Sequence, residues 1–168
     1  MLKLRALETT DLDTLYQWEN DTSLWDVNGY TTPFSKEALG RFIETAQNAE
    51  SIFATGQLRL IIDLNGQAIG CVDLFEFEPR HRRAGVGILI YNHDNRGKGY
   101  AKKALLQAVE YAQNILGIEN IWAHVPTTNT ASVNLFENNG FTRSGIMLQW
   151  QRFGNQLLDV AIYQRLNH

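Results

Sequence analysis

Residues 96–101 read Arg-Gly-Lys-Gly-Tyr-Ala, between an apolar, strand-like run at residues 86–91 and a strongly periodic helix at residues 101–116. Two glycines within four residues at a strand-to-helix junction let the backbone turn with its N–H groups bare, and no side chain at either glycine blocks an approaching anion. The helix start adds the positive end of its dipole. A chain with this junction must commit a strand, a tight anion cradle and a following helix to one place. The cradle is not a nucleotide loop. A P-loop requires Gly-x-x-x-x-Gly-Lys-Ser/Thr, whereas Gly99 is followed by Tyr100, and a Rossmann turn requires a third glycine where Lys102 stands.

The rest of the chain decides what such a cradle can serve. Its 168 residues suit one domain spanning 1–168, and 44% hydrophobic residues supply a core. A net charge of −3 argues against a nucleic-acid surface, and the one basic run, Arg80-His-Arg-Arg83, is short. That run is read as a solvated loop, open to adenine-ribose contacts or to a homo-oligomer interface. No run approaches the ~20 apolar residues of a membrane span. The first eight residues alternate like a strand rather than forming a signal peptide, so a cytoplasmic protein is expected. The single Cys71 lies in an apolar strand and is read as a buried, inert thiol. His81, His93, His124 and His168 show no metal-ligand spacing, and no metal is expected.

Patterning along the chain predicts a mixed α/β layout. Leu2, Leu4 and Ala6 alternate as a strand. Thr9 or Thr10 would cap a helix carrying Leu12, Leu15 and Tyr16, and Ser35 would cap another carrying Leu39, Phe42, Ile43 and Ala46. Runs at residues 58–64 and 67–77 flank Asn65-Gly66, a strong hairpin signal, and Pro79 ends the second run. A strand at 84–91, the helix at 101–116, a strand at 120–125 and a short helix at 130–138 follow, with Gly140 at C′. A final hairpin joins 144–153 to 156–165 through Gly154-Asn155.

The flanks of the cradle carry a resemblance. Arg96-x-x-Gly99-x-Ala101 is similar to the Arg/Gln-x-x-Gly-x-Gly/Ala pattern of the GNAT acetyltransferases. About 30 residues later, Asn129-Thr-Ala-Ser132-Val-Asn-Leu-Phe136-Glu-Asn-Asn-Gly140-Phe141 resembles that family's Asn-x-x-Ser/Ala … Gly-Phe segment, and the likeness runs from about residue 4 to 166. It implies the GNAT fold: a mostly antiparallel mixed sheet, splayed between the strands at 84–91 and 120–125, with helices on both faces. It also implies acetyl-CoA as acetyl donor. Arg96, Gly97, Lys98, Gly99, Tyr100 and Ala101 would surround the pyrophosphate. Leu89 and Ile90 would pair with the pantetheine arm as a strand would. Asn129 and Phe136 would lie against the arm, with N-capping a second role for Asn129.

Acetyl transfer requires a neutral amine, and an alkyl ammonium titrates near ~10.4. A carboxylate must take its proton, and Asp73 and Glu76 are the candidates, with Glu78 on the face of Glu76. Their spacing puts Asp73 and Glu76 on opposite strand faces unless a bulge intervenes. Relatives often carry a glutamate where this chain has Gly85, and a tyrosine acid where it has Phe136. Ser132, matching a serine that contacts the cofactor sulfur in the ribosomal-protein N-terminal acetyltransferase branch, is the substitute donor. Tyr91 and Tyr163 are lesser candidates.

The order Asp73-x-x-Glu76 … His81-Arg-Arg-Ala84 resembles bacterial spermidine acetyltransferases. This implies a primary-amine acceptor, a polyamine such as spermidine or another small amine, drawn by Asp21, Asp26, Asp73 and Glu76. The acidic pair those enzymes carry before the proline is replaced by Thr31-Thr32. Two alternatives stand: an N-terminal acetyltransferase of ribosomal-protein type, and an acyl-CoA sensor without turnover.

Overall fold

The computed structural model describes residues 1–47 and 51–167; His168 lies outside them. The chain opens with β1 (Leu2–Ala6) and runs through four helices, α1 (Leu12–Glu19), α2 (Trp25–Asn28), α3 (Lys36–Ala46) and α4 (Ser51–Thr55). Three strands follow, β2 (Leu58–Leu64), β3 (Gln67–Glu78) and β4 (Arg83–Ile90). Then come α5 (Tyr100–Asn114), β5 (Asn120–Pro126), α6 (Thr130–Glu137), β6 (Thr142–Phe153) and β7 (Gln156–Leu166). The seven strands form one mixed sheet in the order β1-β2-β3-β4-β5-β7-β6, antiparallel throughout except for β4 against β5.

Alternation along the strands feeds a core on each face. Ile62, Val72, Leu74, Val86 and Ile121 pack with the small stripe Ala104, Ala108 and Ala112 of α5. Ile61, Cys71 and Tyr91 pack on the opposite face against Leu15 of α1 and Leu39 and Ile43 of α3. Helices therefore cover both faces, as the sequence pattern requires.

Local signals mostly hold. Ser35 Oγ accepts the Ala38 N–H at 3.0 Å and caps α3. Asn65-Gly66 joins β2 to β3, and Gly154-Asn155 joins β6 to β7. The α6 close bonds the Phe141 N–H back to the Phe136 carbonyl at 3.1 Å. Two expectations fail. Neither Thr9 nor Thr10 caps α1; Asp11 accepts the Glu8 N–H at 2.8 Å, completing a reciprocal box on the 3-10 turn before the helix. Arg5 fixes Asp11 there through two bonds of 2.8 Å. And α2 and α4 stand beside the two expected early helices, because four or five residues are too few to show a helical period.

Candidate active site

The sheet opens where β4 leaves β5. Their parallel pairing covers Arg83↔Asn120, Ala84↔Ile121 and Gly85↔Trp122, and then the strands part. The Phe75 ring lies at this point, 5.1 Å from the Trp122 ring in an edge-on contact. It fills the space over Gly85: a Cβ there would sit 2.5 Å from the Phe75 ring. The position where relatives often carry a glutamate is occupied by an aromatic wedge.

Beyond the wedge, β4 presents a bare edge. The Tyr91 N–H donates to Ile69 on β3 at 3.1 Å, while the Arg82 carbonyl accepts from Glu119 and Asn120 on the β5 side. Strand alternation therefore turns the backbone groups of Val86, Ile88 and Ile90 to the gap and those of Leu89 to β3. Of the two residues expected to pair with the donor arm, Ile90 faces the gap, with its carbonyl already accepting from Arg96 Nε at 2.9 Å. The backbone of Leu89 does not, although Leu89 lines the cavity, and that of Ile88 does.

The cradle stands at the end of this edge. Gly97 and Gly99 have φ of +72° and +77°, in the left-handed region, and a Cβ on either would meet nothing within 4 Å. The first-turn N–H groups of α5 have no partner inside the helix, so they can bind an anion. Lys98, Lys102 and Lys103 are exposed around it, while Tyr100 and Ala101 pack toward the core. Arg96 turns its guanidinium backwards, onto the Ile90 and Tyr91 carbonyls and His93 Nδ1, and staples the turn instead of lining the cradle.

A cavity of about 490 Å³ leads from this edge into the gap. Asn129, Ser132 and Phe136 line one part of it. Asn129 caps α6, its Oδ1 accepting the Ser132 N–H at 3.2 Å. Phe136 is buried against Phe141 and Tyr163. Neither tyrosine offers a hydroxyl there: that of Tyr163 donates to Glu137 at 2.9 Å, and that of Tyr91 is directed to Glu19 at 3.4 Å.

The other part of the cavity ends on ions. Asp73 receives two 2.7 Å bonds from Arg59, and Arg59 Nη1 also donates to Glu19 Oε1 at 2.6 Å. Glu19 is 2% exposed, and its Oε2 has no hydrogen-bond partner among the described residues. Arg59 thus stands between two carboxylates, of which Asp73 lines the cavity and Glu19 is buried. Burial raises the phenols of Tyr30 and Tyr91 above their ordinary range, with Glu19 adding to both.

The four carboxylates expected to attract a cation do not converge. Only Asp73 lines the cavity. Glu76 sits on a β-bulge with φ +47°, exposed. Glu78 caps the next turn through the Arg80 N–H. Asp21 is held by Ser23 on the exposed surface, which lowers its carboxyl. Asp26 ties α2 to the last hairpin, accepting the Gly154 N–H at 3.2 Å while its carbonyl accepts from Gln151 at 3.1 Å. Arg59, Glu19 and Tyr30 went unread in the sequence, and His124 was read only as one of four histidines without metal-ligand spacing. Arg59 had a signal, one of two charges in the otherwise apolar run of β2; Glu19 had a fainter one, four residues after Leu15 on the buried stripe of α1.

Known proteins resemble this arrangement. The acetyltransferase (GNAT) domain description matches residues 1–142. The spermidine N(1)-acetyltransferase of Vibrio cholerae is 31% identical over 152 residues, covering 88% of this chain and 83% of its own. That of Escherichia coli K12 is 26% identical, covering 88% and 76%. A crystal structure of the Vibrio cholerae spermidine N-acetyltransferase in complex with CoA and spermine superposes with a TM-score of 0.86 at 27% identity, covering 98% of this chain and 95% of that one. The chain therefore belongs to the GNAT family as an acetyl-CoA-dependent N-acetyltransferase.

Proposed function

We propose that the chain acetylates a primary amine of a polyamine such as spermidine. The observation that carries this reading is the Asp73 carboxylate, which lines the cavity and is held in place by Arg59. An ammonium entering there meets that carboxylate in place of water. The relatives named for spermidine support the same acceptor.

The residues divide the work. The cradle at residues 97–101 holds the donor's pyrophosphate, and the gap-facing backbone of Ile88 and Ile90 aligns its arm. Asn129 and Ser132 stand at the thioester end. Phe136 has no proton to give, and a thiol titrates near ~8.5, so the thiolate can depart with only a hydroxyl such as that of Ser132 beside it.

The test is a thiol-release assay comparing spermidine, spermine, putrescine and N-terminal peptides. Spermidine should be turned over, and Asp73→Asn should weaken its apparent affinity. Turnover of peptides with none for any polyamine would overturn the acceptor assignment.

A further inference from the structure

We infer that His124 accepts the proton of the acceptor ammonium; this rests on the acetyltransferase reading of the cavity. The titratable side chains that line the cavity are Tyr30, Arg59, Cys71, Asp73, Tyr91 and His124. Five are unsuited to take a proton at neutral pH. Arg59 is always charged. The two phenols are raised by burial, and burial pushes the Cys71 thiol up to about 12. Asp73 directs both its oxygens at Arg59, which already engages them.

His124 remains, and its placement suits the task. It lies on β5 two residues past Trp122, where the strands have parted, with the Trp122 ring 4.5 Å away. It shares the strand face of Trp122 and lines the cavity together with Val86, Gly87 and Ile88 of β4. Its surroundings keep the imidazole neutral: desolvation lowers its pKa from 6.5, and Glu76 on the β3 bulge opposes this. The register partner on β7 is Ile162, which carries no charge. The bulge thus has a use. It turns Glu76 out of the cavity and leaves it within electrostatic reach of His124. The chain lacks a carboxylate at Gly85, where Phe75 fills the space, and His124 supplies a base from the facing strand.

The proton count closes. The ammonium gives one proton to the imidazole. The freed amine nitrogen bonds to the thioester carbonyl carbon, the carbon–sulfur bond breaks, and a second nitrogen proton ends on the departing thiolate. His124 returns its proton to solvent, so an ammonium and a thioester yield an amide, a thiol and one proton.

His124→Asn decides the matter, assayed with whichever primary amine the wild type turns over fastest. Failure of spermidine as acceptor would therefore leave this comparison intact. The variant should lose on the order of 10²-fold in kcat at neutral pH, lose the acidic limb of the kcat profile, recover in part at high pH, and bind CoA as before by calorimetry. In Glu76→Gln the acidic limb should move to lower pH, since the charge that raises the imidazole pKa is gone. His124→Gln guards against a folding defect in the first variant, and circular dichroism checks all three. A folded variant with unchanged kcat and the same acidic limb overturns the proposal.

Discussion

Cys71 keeps its proton through most of the alkaline range because it is buried at the floor of the cavity, with Asp73 adding to the effect and Arg59 opposing it. Its folded pKa is raised from an ordinary 9.0 to about 12. Above 9.0 the unfolded thiol ionises while the folded one does not, so the unfolded state binds fewer protons and stability falls as pH rises. The slope from this one group approaches ~1.4 kcal/mol per pH unit. Urea unfolding of wild type and Cys71→Ala should show a stability difference that is flat below that point and shrinks above it. A difference constant with pH would mean that the thiol titrates normally. At the same scale, Asp73 shows why the site was only half legible. As a carboxylate near the splayed strands it was visible. Its capture by Arg59 was not, because it depends on a bulge. An unbroken two-residue hairpin, in the register Leu64↔Gln67, would set Arg59 opposite Val72. The register shift between Ile62 and Asp63 moves Arg59 opposite Asp73 instead. No local propensity announces that extra residue.

Elements with a covalent signature were readable: glycine turns, a serine cap, and an alanine stripe on α5. What escaped were contacts between elements, and β4 is the clearest case. Gly85 read as a missing carboxylate; in the fold it is the seat of the Phe75 ring, which is pinned edge-on to Trp122. Gly85→Ala must push that ring or the strand aside, and should cost about 1–3 kcal/mol of stability, as overpacking generally does. Phe75→Leu in the same chain should recover part of the loss, because contacting sites are non-additive. Chemical denaturation measures both. If Gly85→Ala is as stable as the wild type, the ring is free to yield and the wedge is not what holds the strands apart. The alternation of β4 also decides which backbone groups meet the donor, a parity fixed by its pairing with β3 and invisible in a run as uniformly apolar as residues 86–91.

At the scale of the whole molecule, the sheet is two smaller sheets joined by three residue pairs. Binding along the gap adds hydrogen bonds that this junction lacks. CoA should therefore stabilise the protein by ~2.7 kcal/mol at a hundred times its dissociation constant, and slow hydrogen exchange most at the amides of Ile88 and Ile90. Exchange slowed only around residues 97–101 would place the arm elsewhere. Among the described residues no helix is long and apolar enough to cross a membrane. The bonds from Asp26 to Gln151 and Gly154 span 125 and 128 residues of sequence, and the cavity draws its walls from Val27 through to Leu158. Contacts this distant along the chain form only after the intervening loop has been closed against its entropy. No nascent or truncated portion short of the final hairpin carries a complete site. Catalytic competence is in this sense the last thing the polypeptide acquires, and its presence certifies that both ends have found each other.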